Sequence, residues 1–223
     1  MTTPLLERVL KVGRYFEQRL KETGQIIPDA ATGYDWYNHL YSSATYRRAH
    51  VEIVDKMQSH KILVLHCTIF PHYNDPSPIW GFDAVCGPNK ITGAFHDMSN
   101  GGDPGHFMIE HFAHTVKDLN WKKERQLPPW AQEIFSEHIV AAGNINDQQE
   151  LEKLCSLAES NLDYYLSNVG KTANADHDFY EIQRKYNANN KQNPHVARSM
   201  ISMGVPEPTI MKFIDEVLYS ENR

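Results

Sequence analysis

Three short apolar stretches, each carrying at least one acid–base residue, constrain this chain more than any other feature. They are Ala49-His50-Val51-Glu52-Ile53-Val54, Ile62-Leu63-Val64-Leu65-His66-Cys67-Thr68-Ile69-Phe70 and Ile79-Trp80-Gly81-Phe82-Asp83-Ala84-Val85-Cys86. Their length and their β-branched and aromatic content predict β-strands. Side chains alternate across a strand, so each stretch sorts into two faces. Leu63, Leu65, Cys67 and Ile69 share one face of the second strand, and Ile62, Val64, His66, Thr68 and Phe70 the other. Asp83 falls with Ile79, Gly81 and Val85, and His50 with Glu52, opposite Ala49, Val51 and Ile53. A face mixing large apolar residues with one imidazole or carboxyl is expected to wall a pocket, not to meet solvent. Taken singly, each polar residue is most simply a satisfied core group. Three on neighbouring strands point further, because a buried ionisable group needs a partner or costs stability.

A Pro- and Asp-rich loop, Asn74-Asp75-Pro76-Ser77-Pro78, separates the second and third strands, and Gly87-Pro88-Asn89 turns the chain into a fourth, Ile91–Phe95. Connections this short predict antiparallel neighbours. Ahead of them, Pro4 suits a first helical turn, and Leu5, Val9, Val12, Phe16 and Leu20 form a helical core stripe. A polar, Pro- and Gly-bearing stretch then runs through Asp35.

The second half reads as helical, beginning after the Gly101-to-Gly105 loop. Phe107, Ile109, Phe112 and Val116 predict one helix. Pro128-Pro129-Trp130 opens another that includes Ile134 and Phe135. Asn146 can cap a long helix through Leu166. Phe179, Ile182 and Tyr186 mark a further helix, and a last one follows Pro208. The expectation is an antiparallel sheet covered by helices in a single domain over residues 1–223.

Bulk properties exclude several classes. The 223 residues carry 41% hydrophobic and 22% charged side chains, ordinary for a globular protein with a substantial core. No apolar run approaches a membrane span. Met1-Thr2-Thr3-Pro4 lacks the basic start and apolar stretch of a signal peptide, so a cytoplasmic protein is expected. A net charge of −6 argues against nucleic acid as partner, and the local Lys122, Lys123 and Arg125 cluster reads as solvated surface. Cys67, Cys86 and Cys155 form no Cys-x-x-Cys pair, so the chain is not expected to hold zinc or an iron–sulfur cluster. Gly101-Gly102-Asp103-Pro104 lacks the glycine spacing of a dinucleotide-binding turn. One metal-centred alternative stays open at this level: His50, Glu52, His66 and Asp83 are ligand types suited to a divalent ion.

Four segments carry a resemblance to a known family. They are Ala49-His50-Val51-Glu52, Ile62-Leu63-Val64-Leu65-His66-Cys67, Pro78-Ile79-Trp80-Gly81-Phe82-Asp83, and Arg125-Gln126-Leu127-Pro128-Pro129-Trp130 continuing to Ile134-Phe135-Ser136-Glu137. In order and approximate spacing, from about Tyr46 to His138, they resemble the ferredoxin-dependent bilin reductases; the C-terminal helices match more weakly. The resemblance implies an α/β fold, a three-layer α/β/α sandwich with a central antiparallel sheet, and biliverdin IXα lying between the sheet and the C-terminal helices. It places Asp83 and His66 at the family's acid–base pair. Glu52 falls at a carboxyl that some members use on a vinyl side chain, and His50 at a neighbouring histidine. Thr92 and Arg125 fall at positions that hold the propionates.

Two departures accompany the match. Asn193, followed by Pro194, stands where many members carry an aspartate facing the bilin, and an amide cannot deliver a proton as a carboxylic acid can. Two extra residues separate Glu52 from His66, in the Lys56-to-Lys61 turn. The resemblance implies no cofactor bound by the chain, reduced ferredoxin as electron source, a small bilin as substrate, a monomer, and a phytobilin product. Glu52 favours phycocyanobilin. Phycoerythrobilin is the alternative that the Asn193 departure suggests, and a non-catalytic bilin carrier is the alternative from another class.

Overall fold

A computed structural model describes residues 3–28 and 33–221. Residues 1 and 2, on which the leader expectation partly rests, and residues 29–32 of the polar stretch lie outside the described residues.

The chain opens with α1 (Pro4–Thr23). Thr3 accepts a hydrogen bond from the Leu6 backbone N–H at the helix start, and Pro4 occupies the first turn. Then come β1 (Gln25–Ile26), β2 (Tyr37–Ser42), β3 (Tyr46–Lys56), a single turn α2 (Met57–His60), β4 (Ile62–Pro71), β5 (Ile79–Cys86) and β6 (Ile91–Ser99). Next are α3 (Phe107–Val116), the turn α4 (Pro129–Gln132), β7 (Val140–Ala142), α5 (Gln148–Asn168), α6 (Tyr180–Asn190), α7 (Pro194–Ser202) and α8 (Glu207–Lys212). Helix α8 runs on into a π-helical stretch, Phe213–Leu218.

The strands form one seven-stranded sheet in sequential order, every neighbour antiparallel. Helices α1, α3 and α5 cover one face, and α4, α6 and the C-terminal helices lie over the other, so the three-layer sandwich is present. Four strands are expected from the sequence. Of the other three, β1 and β7 are two and three residues long at the sheet's edges, where alternation is too short to read, and the six-residue β2 lies between β1 and β3. Three helical expectations are also corrected. The helix opened by Pro129 stops after one turn, leaving Ile134 and Phe135 outside it. The long helix is capped by Asp147, whose carboxylate accepts from the Glu150 N–H, not by Asn146. The third is an omission: α7 follows Asn193 as a short amphipathic helix whose Val196 and Met200 pack with the C-terminal segment.

The main core lies on the face opposite His66 and Asp83, and it buries one imidazole, that of His96, among Trp80, Phe82 and Phe112. Leu63, Leu65, Cys67 and Ile69 of β4 meet Ala49 and Val51 of β3 and Trp80, Phe82 and Ala84 of β5. The predicted stripe of α1 packs onto them, with Phe16 wedged edge-on between Trp80 and Phe82 at ring distances of 5.3 and 5.4 Å. Gly13 lets the helix come close, since a Cβ there would sit 2.8 Å from Ile53 Cδ1. The Gly101-Gly102 pair has an equally local reason: a Cβ on Gly101 would lie 2.0 Å from the Ser77 carbonyl oxygen. The β4–β5 loop is tied down by buried Asp75, which accepts from the N–H groups of Ser77 and Gly170 and the hydroxyls of Ser77 and Thr172. Because Phe16 is wholly buried in this layer, Phe16→Ala is expected to lower unfolding free energy by about 3–5 kcal/mol. Chemical denaturation read by tryptophan fluorescence checks it.

Candidate active site

The opposite face of the sheet owes its chemistry to register. Partners facing each other across antiparallel strands share a face, and one such row reads Asn38, Glu52, His66, Asp83, Phe95 from β2 to β6. The row two residues along holds Leu40, His50, Thr68, Gly81 and Asp97. Thus the structure brings His50, Glu52, His66 and Asp83 onto one surface, as the alternation predicts.

Within that surface His66 is the hub. Its Nδ1 lies 2.8 Å from Asp83 Oδ1, and its Nε2 lies 2.9 Å from the Thr68 hydroxyl. With the Asp83 carboxylate accepting from Nδ1–H, Thr68 can donate to neutral Nε2 or accept from it once it is protonated. The hydroxyl therefore serves both charge states of the ring. Burial depresses the His66 pKa, but the charge and hydrogen bond of Asp83 and the charge of Glu52 outweigh it, and the net shift is upward. His66 is buried with 7% of its side chain exposed, whereas 42% of the Asp83 side chain is open. The pair thus spans the boundary between interior and cavity.

Glu52 behaves differently. Burial pushes its carboxyl up to about 7, with His66 pulling down and Asp83 pushing up. Near neutral pH it holds its proton about half the time. His50 is driven well below the usual imidazole range by burial and by neighbouring His66 and Arg48. Its Nε2–H donates to Asn38 Oδ1, so its Nδ1 carries the lone pair, buried and without a partner. These four side chains do not converge as ligands, and among the described residues no group of three or more His, Cys, Asp or Glu is placed to hold a metal.

A cavity of about 350 Å³, counting its open mouth, lies on this face. His66, Thr68, Asp83 and Phe95 form its floor. Tyr186 and Asn190 of α6, Tyr219 past the π-helical stretch, and Phe135 and Ile139 of the loop after α4 form its walls and roof. The Tyr186 hydroxyl lies over Gly81, 3.6 Å from where a Cβ would sit. The roof is pinned from below: Arg48 of β3 donates to the carbonyls of Glu216 and Val217, and Asn187 to that of Ser220. The floor is sealed where Phe70 and Ile79 pack under Tyr186, and half-open toward Val64, Val85 and Phe95.

The remaining predicted residues lie further out. Arg125 is exposed. Its guanidinium donates to the Thr92 carbonyl, a neutral partner, while the Thr92 hydroxyl donates to the Val85 carbonyl. Its Nε packs 3.4 Å from the Cβ position of Gly93, which pairs with Val85. That places it one side-chain repeat, roughly 7 Å, along β6 from Phe95, beside the mouth. Asn193 does not line the cavity. It caps α7, accepting from the His195 N–H, and Asn190 one turn earlier faces the cavity instead.

Sequence reasoning missed Asp97, Tyr186, Asn190 and Tyr219. Asp97 is buried in the cavity wall, where it accepts from the hydroxyls of Ser99 and Ser136 and from the Ser136 N–H; burial raises its pKa against those donors. Its signal was available: the alternation of the fourth strand continues past Phe95, through Asp97 to Ser99.

Both raised groups bind protons more tightly in the folded state. Their contribution to stability is complete below the unfolded values, 4.5 for Glu52 and 6.5 for His66, and is lost as pH rises through the higher folded values. The Glu52 contribution is therefore expected to fall between pH 4.5 and about 7, while buried His50 and His96, held below the usual imidazole range, contribute in the opposite direction, so the difference between wild type and Glu52→Gln isolates the Glu52 slope. Denaturant unfolding across pH, with His66 followed by NMR, checks both; Asp83→Asn should lower the His66 midpoint.

Comparison with known proteins agrees with this architecture. A sequence profile of the family described as ferredoxin-dependent bilin reductase matches residues 15–220. Curated relatives are named phycocyanobilin:ferredoxin oxidoreductase. That of Prochlorococcus marinus (strain MIT 9515) is 25% identical over 148 residues, covering 66% of this chain and 59% of the relative. That of Trichodesmium erythraeum (strain IMS101) is 31% identical over 131 residues, covering 57% and 51%. That of Prochlorococcus marinus (strain MIT 9313) is 28% identical over 193 residues, covering 82% and 70%. The alignments with the first two thus span only 59% and 51% of those relatives' own lengths. Among solved structures, PcyX superposes with a TM-score of 0.66 at 22% identity, covering 95% of this chain and 97% of that one. Tomato phytochromobilin synthase in complex with biliverdin superposes with a TM-score of 0.72 at 14% identity, covering 94% and 82%. The chain belongs to the ferredoxin-dependent bilin reductase family.

Proposed function

We propose that this family member reduces biliverdin IXα to a phytobilin, taking electrons singly from reduced ferredoxin and protons from its own side chains. The single observation that carries this reading is the hydrogen-bonded pair His66 and Asp83 lining a roofed cavity, with buried Glu52 beside His66 in the same row. A conjugated tetrapyrrole accepts single electrons, and each electron must be matched by a proton placed at a chosen atom. The protein's part is then to hold the pigment, exclude water and supply protons.

Asp83 and His66 act as one unit. The half-open Asp83 carboxyl presents a proton to the pigment, and the buried imidazole, hydrogen-bonded to it at 2.8 Å, replenishes that proton. Glu52, with its pKa near 7, is an independent donor on the next strand. His50, buried behind the lining with its ring 5.3 Å from that of His66, backs the pair from the neighbouring strand. Arg125, whose partner is only a carbonyl, is free to pair bidentately with a propionate at the mouth, with Thr92 behind it.

We infer phycocyanobilin as product, on the presence of a protonatable Glu52 and the names of the curated relatives. Phycoerythrobilin is the second reading. It is favoured by an amide at Asn193, whose side chain is committed to capping α7. A plain carrier would have no use for a row of proton donors. We assign the activity to one domain, because a single main core draws on α1, the sheet and α5 together.

The deciding experiment is anaerobic incubation with biliverdin and reduced ferredoxin, products separated by chromatography. Binding without turnover would reduce the protein to a carrier. Asp83→Asn is expected to bind biliverdin while reduction stalls by about 100-fold or more, the usual contribution of a positioned acid; wild-type turnover would remove Asp83 as donor. Arg125→Ala is expected to weaken biliverdin binding about tenfold, as read by absorbance titration.

A further inference from the structure

Beside the proposed site, a buried donor and a buried acceptor are each left without a partner of hydrogen-bond geometry. The donor is the indole Nε1 of Trp36, and the acceptor is Oε2 of Glu52. Native interiors rarely tolerate such orphans, and here the two occur together. Asn38 pairs with Glu52 across β2 and β3, and Trp36 lies two residues before Asn38. Its ring belongs to an aromatic cluster with Tyr34 and Phe213, at 5.0 and 5.6 Å, and Phe213 in turn lies 6.2 Å from the His50 ring. The indole is therefore held on the pocket face by packing, independently of any hydrogen bond, and its N–H is close enough to pull the Glu52 pKa down against burial.

The other groups that feel Glu52 are committed or unsuited. His66 is shared between Asp83 and Thr68, and Asp83 repels a second carboxylate. The His50 N–H is given to Asn38. The phenols of Tyr34 and Tyr219 sense the Glu52 charge through space alone. Arg48 gives its Nη2 to carbonyls of the π-helical stretch, and although its Nε is also without a partner, Arg48 is not among the groups that shift Glu52.

We propose that the Trp36 indole N–H is a positioning donor for Glu52, receiving the carboxylate that remains after Glu52 gives up its proton. The inference rests on the reading of Glu52 as a proton donor. In that step the O–H bond of Glu52 breaks and its proton goes to the bilin. The negative charge stays on the Glu52 carboxylate, and the indole keeps its own proton throughout. An acid whose conjugate base is met by a waiting donor releases its proton more readily than one left bare in an apolar cage. The cage of Tyr34, Trp36 and Phe213 also keeps water from doing the same work.

Ligand-free protein tests this directly. In ¹⁵N-labelled wild type, the Trp36 Nε1–H resonance is expected to move with the same midpoint as the Glu52 carboxyl stretch followed by infrared spectroscopy. Glu52→Gln should make that resonance independent of pH. Trp36→Phe keeps the packing and removes the donor, and should raise the Glu52 midpoint by about one pH unit. A flat indole resonance through the Glu52 titration, or an unchanged midpoint in Trp36→Phe, overturns the proposal. Should Trp36→Phe fail to fold, the wild-type and Glu52→Gln titrations decide alone. None of these measurements uses biliverdin. Failure of the reductase assay would leave the Trp36–Glu52 pairing standing, and a flat indole would leave the reductase reading standing.

Discussion

The hydrogen bond between His66 and Asp83 exists only because β3, β4 and β5 pair in one register, and the rest of the site follows from that pairing. Every side chain in the row Glu52, His66, Asp83 points away from the main core because its neighbours, Val51, Leu65, Cys67 and Phe82, point into it. A slip of one residue would turn Glu52 of β3, His66 of β4 or Asp83 of β5 into the apolar layer and expose that strand's core residues to the cavity. The apolar layer under α1 and α5 thus enforces the site's geometry without touching it. Phe16, wedged between Trp80 and Phe82, helps hold the two strands that carry the pair.

That shared surface does not impose a shared protonation state. Burial acts on Glu52, His66 and His50 alike, yet it raises the first, is overcome in the second by Asp83, and prevails in the third. The outcome is one carboxyl poised near 7, one imidazole whose pKa is raised, and one whose pKa is depressed. Environments that separate like groups in this way are what proton delivery at more than one position requires. The roof adds phenols and an amide from Tyr186, Tyr219 and Asn190, and Arg125 lies exposed further along β6, donating to the Thr92 carbonyl.

Much of this was legible because strands of eight to eleven residues carry an unambiguous alternation. His66 and Thr68 separate cleanly from Leu65 and Cys67, and the loops around Pro76 and Pro88 leave the strands no option but antiparallel neighbours. Edge strands were not legible: β1 has two residues and β7 three, too few for a period of two to show. Asp97 escaped because the fourth strand was expected to end at Phe95. Asn193 fell at a helix start, where its side chain meets a local backbone N–H, and a chain position cannot tell a capping asparagine from one that faces a pocket.

Read alone, the sequence determined which residues could share a face, since that depends only on the two-residue repeat of a strand. It also determined the layered fold, since that depends on stripes long enough to count. Only tertiary structure decided the register between neighbouring strands, and so which imidazole meets which carboxyl. It decided too that Tyr186 and Tyr219 close over Asp83, and that Trp36 comes to lie beside Glu52. Those contacts join residues up to 136 positions apart. They are set by packing and exclusion of water, to which the order of residues along one segment carries no local signal.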